Sequence, residues 1–237
     1  MSAFGSPHRH FRRTDSTNAR LRELAEAGAP HGTVVTADEQ ETGRGRQGRS
    51  WFAPPGSALL YSALLRPLDE RPLLPLAVPL AVAEAVESLA PQRSCGLKWP
   101  NDVWVDDRKL AGVLIEGRPH ADGGWAVIGV GVNVAVADDE FPEELRGAAT
   151  SIGEGVSVAS VRLALDRALG KWIEAAPKRV LDSFRARDVL RGRRLRWEGG
   201  AGTAAGIDDS GHLLVDGDDG TRVALGAGEV HLDLEAA

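Results

Sequence analysis

The run Lys98-Trp99-Pro100-Asn101-Asp102-Val103-Trp104-Val105-Asp106-Asp107-Arg108-Lys109-Leu110-Ala111-Gly112-Val113-Leu114-Ile115-Glu116, continued from Trp125 to Val136, decides the fold. It holds three strand-like runs, Val103–Val105, Val113–Glu116 and Trp125–Val136, separated by Gly, Asp and Pro turns. That pattern predicts an antiparallel meander. Asp106-Asp107 makes a turn, so Asp102 and Lys109 fall on facing arms of a hairpin where they can converge. A lone lysine on a hairpin is ordinarily a solvated edge charge. Here Pro100 stiffens the approach and Trp99 offers a flat apolar surface, which argues against a purposeless loop. Gly129-Val130-Gly131-Val132-Asn133 alternates small with β-branched residues and sets one amide in an apolar strand. If buried, Asn133 needs hydrogen-bond partners, either as a backbone bridge or as a ligand contact.

Working outward, Asp15-Ser16-Thr17-Asn18 followed by Leu21, Leu24 and Ala25 reads as a capped amphipathic helix ending at Gly28-Ala29-Pro30. Thr33 to Ala37 is a short β-prone run, and Leu59 to Leu65 a strand stopped by Pro67. From Leu73 to Ala90 apolar residues recur at helical spacing, and Pro91 ends that helix. Helical periodicity returns over Val158–Trp172 and again over Lys178–Arg187. Near Asp188 the character changes to short β-like runs with turn clusters. Asp216-Gly217-Asp218-Asp219-Gly220, between Leu213-Leu214-Val215 and Arg222-Val223-Ala224-Leu225, is a hairpin signal. The expectation is an α+β main domain over residues 1–188, built on a mixed, mostly antiparallel sheet packed with helices. A small β-barrel follows over residues 189–237.

Composition narrows the function. The chain has 237 residues, 43% hydrophobic and 26% charged, so it can bury a sizeable core. Its net charge of −6 lacks the basic footprint of a general nucleic-acid binder. One cysteine, Cys95, excludes internal disulfides and points to a reducing compartment, the cytoplasm. Cys95 reads as a small packed hydrophobe, with no neighbouring His or second Cys to activate it. The longest apolar run, Leu73 to Ala83, is broken by Pro75 and Pro79 and is too short to span a bilayer. The N-terminal His8, Arg9, His10, Arg12 and Arg13 precede no apolar segment, so no signal peptide is expected. The six histidines show no metal-site spacing.

Against this acidic background, Gly43-Arg44-Gly45-Arg46-Gln47-Gly48-Arg49-Ser50-Trp51 packs three arginines and three glycines into nine residues. In an extended segment Arg44 and Arg46 point to one side, and the glycines let an anion approach the backbone. A guanidinium fork pairs with carboxylate and phosphate oxygens. The loop on its own also fits a solvated RG segment with loose RNA affinity.

Together these stretches resemble the biotin–protein ligase family. Its GRGRxGRxW loop appears as Gly43 to Trp51, its KWPND box as Lys98 to Asp102, and its RKLAGIL-type strand as Arg108 to Leu114. Its glycine-rich strand ending in Asn appears as Gly129 to Asn133. Ser16-Thr17-Asn18 and Gln40 fit upstream, and Arg187-Asp188 with Leu190, Gly192 and Arg193, then Gly206-Ile207-Asp208 with Gly211, look like the family's SH3-like C-terminal domain. The resemblance covers roughly residues 11 to 235 and implies a class II synthetase-like fold. It also implies two reactions: biotin and ATP give biotinyl-5′-AMP and pyrophosphate, then a carrier lysine takes the biotinyl group and AMP leaves. Arg46, Lys109 and Asp102 are the implied catalytic residues. The implied biotin set is Ser16, Thr17, Asn18, Gln40, Gly43, Arg44, Arg46, Tyr61, Lys109 and Gly112. Arg44, Arg46, Arg49, Trp51, Lys98, Asn101, Lys109 and Asn133 are the implied nucleotide set, with Mg²⁺ carried in by ATP and no protein metal site. The implied partner is the biotin carboxyl carrier protein domain of an acyl-CoA carboxylase, with neither DNA nor membrane, and the enzyme is a monomer or homodimer. Some members carry an N-terminal helix-turn-helix, for which there is no room before Ser16, so a ligase-only form is expected. The rival readings are a lipoate or octanoate ligase or transferase and a non-catalytic biotin sensor.

Overall fold

The computed structural model describes residues 4–68, 71–119, 123–226, 228 and 230–232. The main sheet is built from β1 (His8–Thr14), β2 (Val34–Gln40), β3 (Ala58–Leu65), β4 (Gly96–Lys98), β5 (Asp102–Val105), β6 (Arg108–Arg118) and β7 (Trp125–Asn133). Their order is β1-β2-β3-β7-β6-β5-β4. Only β1 and β2 pair in parallel; β5, β6 and β7 form the antiparallel meander read from the sequence. The helices are α1 (Thr17–Glu26), α2 (Leu74–Leu89), α3 (Val158–Ile173) and α4 (Pro177–Arg185). This is the expected mixed, mostly antiparallel α+β arrangement.

All eight residues of β3 are buried, because the strand is covered on both faces. Successive side chains point to opposite sides, so Leu64 joins Leu21, Ala25, Val35 and Val127 beneath α1. Leu59, Tyr61, Ala63 and Leu65 enter the larger core under α2 and α3. Double coverage explains why β3 and β7 read as near-continuous apolar runs. In α2, Pro75 falls in the first turn, where a missing N–H is harmless, and Pro79 lies inside the helix.

Two strands are absent from the sequence reading. β1 carries five His and Arg side chains, most of them exposed, and lies at the sheet edge, where charge deters further pairing. β4 has three residues and no readable alternation. The remaining strands, β8 (Arg194–Trp197), β9 (Gly200–Ile207), β10 (Leu213–Gly217), β11 (Arg222–Leu225) and β12 (Val230–Leu232), make a second sheet of order β11-β10-β9-β8-β12. The expected hairpin is β10–β11, with Leu213 opposite Leu225 and Asp216 opposite Arg222. No helix among the described residues is long and apolar enough to cross a membrane.

Tyr61 is fixed from the helical side of the sheet. Its ring is 1% exposed and its hydroxyl donates to Asp166 on α3 at 2.8 Å. The next residue, Ser62, points to the face carrying α1, so the Tyr61 side chain leaves on the opposite face, although Tyr61 still borders the cleft described below. Burial raises the Asp166 carboxyl, while the Tyr61 hydroxyl and Arg162 pull it down. Tyr61→Phe is therefore expected to destabilise the protein by about 1–2 kcal/mol near neutral pH. Losing that donor lifts the Asp166 pKa further, so the folded state holds its proton longer and the penalty grows as pH rises. Urea unfolding of both proteins at low and neutral pH checks this, and a pH-independent difference contradicts it.

Candidate active site

Two acidic residues, Asp106 and Asp107, with φ 51° and 57°, make the tight turn between β5 and β6. A register shift at Val103/Trp104 sets Trp104 opposite Lys109 and Asp102 opposite Gly112. Lys109 and Asp102 thus share a face, and Lys109 Nζ lies 2.8 Å from Asp102 Oδ1. The Asp102 side chain is 15% exposed, and no aligned hydrogen-bond donor serves its Oδ1. The contact is an ion pair that leaves acceptor capacity unused.

The glycine loop crosses this face as a pinched flap. Gly45 N–H donates to Arg49 O at 2.7 Å, Trp51 N–H to Gly43 O at 2.9 Å, and Arg44 and Ser50 form a bridge. Arg46–Gly48 is a single 3₁₀ turn with Gln47 at φ 53°. The extended geometry expected for Arg44 and Arg46 therefore holds only as far as Gly45; the turn at Arg46 closes the flap with two backbone hydrogen bonds that a straight segment lacks. Both arginines still line the cleft. Arg46 Nη1 donates to Asn101 Oδ1 at 3.2 Å, and Asn101 Nδ2 donates to Val113 O at 2.7 Å, tying flap to sheet.

Trp51 lies flat on the sheet. A Cβ on Gly131 would sit 2.7 Å from Trp51 Cζ2, and one on Gly112 would sit 3.1 Å from Cζ3. The paired glycines Gly131 of β7 and Gly112 of β6 thus leave a floor for an indole. Lys109 Nζ is 5.9 Å from the centre of the same ring.

Around the cleft stand Arg44, Arg46, Arg49, Lys98 and Lys109, with Asp102 the one carboxylate among its described lining residues. Among the described residues no cluster of three His, Cys, Asp or Glu side chains can hold a metal ion. At the other end, Ser16, Thr17, Asn18 and Gln40 meet at the start of α1. Ser16 occupies the N-cap position without a side-chain cap bond; instead Gln40 Oε1 accepts the Thr17 N–H at 2.7 Å.

Asn133 is brought elsewhere. It is 4% exposed, lies outside the cleft lining, and donates from Nδ2 to Thr150 O at 3.0 Å. Its Nδ2 thus makes a backbone bridge, while its Oδ1 is buried without a hydrogen-bond partner. Trp99 is likewise buried, its Nε1 donating to Gly211 O of the second sheet's β9–β10 turn at 3.1 Å. Gly228 and Val230 reach the cleft from the C-terminal segment. Nothing in the chain's local pattern signals those two, because they arrive through the packing of one sheet against the other. Burial and the neighbouring Glu87 push the Cys95 thiol up to about 12, consistent with an unreactive packed residue.

The sequence profile of the Biotin/lipoate A/B protein ligase family matches residues 10–133, and that of the Biotin protein ligase C terminal domain matches residues 201–233. The chain belongs to the biotin/lipoate A/B protein ligase family. It is similar to the biotin–[acetyl-CoA-carboxylase] ligase of Mycobacterium tuberculosis, 39% identical over 238 residues, with 92% of this chain and 85% of that protein covered. The bifunctional ligase/repressor BirA of Bacillus spizizenii is 34% identical over 223 residues, covering 87% of this chain and 68% of that protein. Among solved structures, the biotin protein ligase of Aquifex aeolicus in complex with biotin and ATP superposes with a TM-score of 0.82 at 29% identity, covering 96% and 99% of the two chains.

The indole floor is testable. Gly131→Ala puts a methyl group into Trp51 and should release the flap while the sheet stays folded. Trypsin should then cut after Arg44, Arg46 or Arg49 on the order of ten times faster than in the parent, with a thermal midpoint lowered by only a few degrees. An unchanged cleavage rate contradicts the packing described.

Proposed function

We propose that this protein is an ATP-dependent biotin–protein ligase. It activates biotin to biotinyl-5′-AMP with release of pyrophosphate, then transfers the biotinyl group to one lysine of the biotin carboxyl carrier protein domain of an acyl-CoA carboxylase. The observation that carries this reading is the convergence of Arg46 and Lys109 on the adjacent residues Asn101 and Asp102, inside a cationic cleft of an acidic protein.

The first step brings a carboxylate against a polyanion. In a pocket closed to water that repulsion is poorly screened, so fixed positive charge has to offset it. Arg46 is held by Asn101 to meet the biotin carboxylate or the α-phosphate. Lys109, set on β6, follows the developing charge on the reacting oxygen. Arg44, Arg49 and Lys98 bind phosphate oxygens, and Trp51 covers the reacting centre against water, which would hydrolyse the acyl-adenylate. The residues present fit a Mg²⁺ ion held by phosphate oxygens, since Asp102 is already paired with Lys109. Such an ion would neutralise charge on the departing pyrophosphate.

In the second step the acceptor amine must be neutral, and only about one in a few thousand is so at pH 7. Asp102 Oδ1, the buried oxygen with no aligned donor, is the group on hand to orient that ammonium and take its proton. At the far end, the α1 terminus with Thr17 and Gln40 supplies hydrogen-bonding groups for the ureido ring.

Mass spectrometry of a carrier domain incubated with this protein, MgATP and biotin should show addition of one biotinyl group, with lipoate and octanoate as controls. Labelling by lipoate or octanoate instead of biotin would overturn the assignment. Lys109→Ala should slow adenylate formation by roughly 100- to 1,000-fold. Asp102→Ala should slow transfer from preformed biotinyl-5′-AMP more than it slows adenylate formation. If both steps proceed at the parent rate in Asp102→Ala, Asp102 only caps the hairpin.

A further inference from the structure

On the cleft face of β4 and β5, one aromatic side chain takes no part in the proposed chemistry. Lys98 stands opposite Asp102, and Gly96 opposite Trp104, in this antiparallel pair. Opposed and alternate residues share a face, so Gly96, Lys98, Asp102 and Trp104 stand on one side of the sheet. Lys98 and Asp102 line the cleft, whereas Trp104 is half-buried outside that lining. A Cβ on Gly96 would collide with the Val189 side chain, so an apolar group from beyond α4 fills that end of the face. The Lys98 ammonium lies 5.4 Å from the centre of the Trp104 ring, within cation–π range.

The two ammonium groups of this face are thus held in different ways. Lys109 sits against the Asp102 carboxylate at 2.8 Å, which meets much of its charge. An indole face attracts an ammonium through its quadrupole but carries no net charge. It can fix the direction of Lys98 without cancelling the charge that a phosphate needs. Lysine ends in a point charge on a flexible stem, and ordering that stem during binding costs affinity. A ring that orders it beforehand lowers that cost. Trp104 Nε1 is buried with no hydrogen-bond partner among the described residues, so a hydrogen bond is not what the indole contributes.

We infer that Trp104 is a positioning residue, which aims Lys98 at the nucleotide phosphates before they arrive. The inference rests on the biotin-ligase reading, in which Lys98 binds phosphate oxygens.

The test measures kcat and KM for MgATP at saturating biotin, read as pyrophosphate release. Trp104→Leu should raise KM about three- to tenfold, with kcat within about twofold of the parent. Trp104→Phe keeps an aromatic face and should stay within about twofold of the parent in both constants. Lys98→Ala should raise KM at least as far as Trp104→Leu does. Adding Trp104→Leu to Lys98→Ala should then raise it no further, because the ring acts only through the lysine. If Trp104→Leu fails to fold, Trp104→Ile, whose side chain suits a strand, gives the same comparison. Losses that multiply in the double variant overturn the inference. So does a parent-like KM in folded Trp104→Leu, or a Trp104→Phe as impaired as Trp104→Leu. Absence of pyrophosphate release by the parent itself would instead strike the biotin-ligase reading.

Discussion

The close approach of Trp51 to Gly112 and Gly131 is the constraint on which the rest of the site depends. Any side chain on those paired positions of β6 and β7 would hold the flap off the sheet. Only because the floor is bare can the flap lie down, and only then does Arg46 come within 3.2 Å of Asn101. The cationic loop, which alone reads equally well as a solvated RG segment, becomes one wall of a cleft whose other wall carries Lys109. A steric fact about two glycines thus converts dispersed positive charge into a directed field. In water such charges interact weakly; against a covered sheet they are far more effective.

The hairpin of β5 and β6 supplies the complementary piece. Its tight aspartate turn and shifted register bring Lys109 and Asp102 together. The same run ties outward through Asn101 to the flap and through Trp99 to Gly211 of the second sheet. The C-terminal segment is thereby coupled to the cleft, and Gly228 and Val230 border it directly. Charge, hinge and second sheet meet within five consecutive residues, Lys98 to Asp102.

Much of this is legible in the sequence, for reasons that differ from place to place. The meander shows because its turns are written in Asp, Gly and Pro, and the pairing of Asp102 with Lys109 follows from counting residues around that turn. β1 does not show, because an edge strand facing solvent keeps a charged composition with no apolar alternation. Tyr61 borders the cleft, but the pleat sends its side chain to the other face, into its hydrogen bond with Asp166. Placing Ser62 toward α1 would have sent its neighbour the other way. Asn133 shows as a buried amide, but whether its partner is a ligand or Thr150 depends on a loop distant in sequence.

The most direct test of the central claim, that this charge cluster drives attack of a biotin carboxylate on the α-phosphate of ATP, is isotope exchange between ATP and labelled pyrophosphate with no carrier present. The account predicts exchange that depends on biotin and disappears when Arg46 and Lys109 are both neutralised. Exchange that persists in the doubly neutralised protein would contradict it.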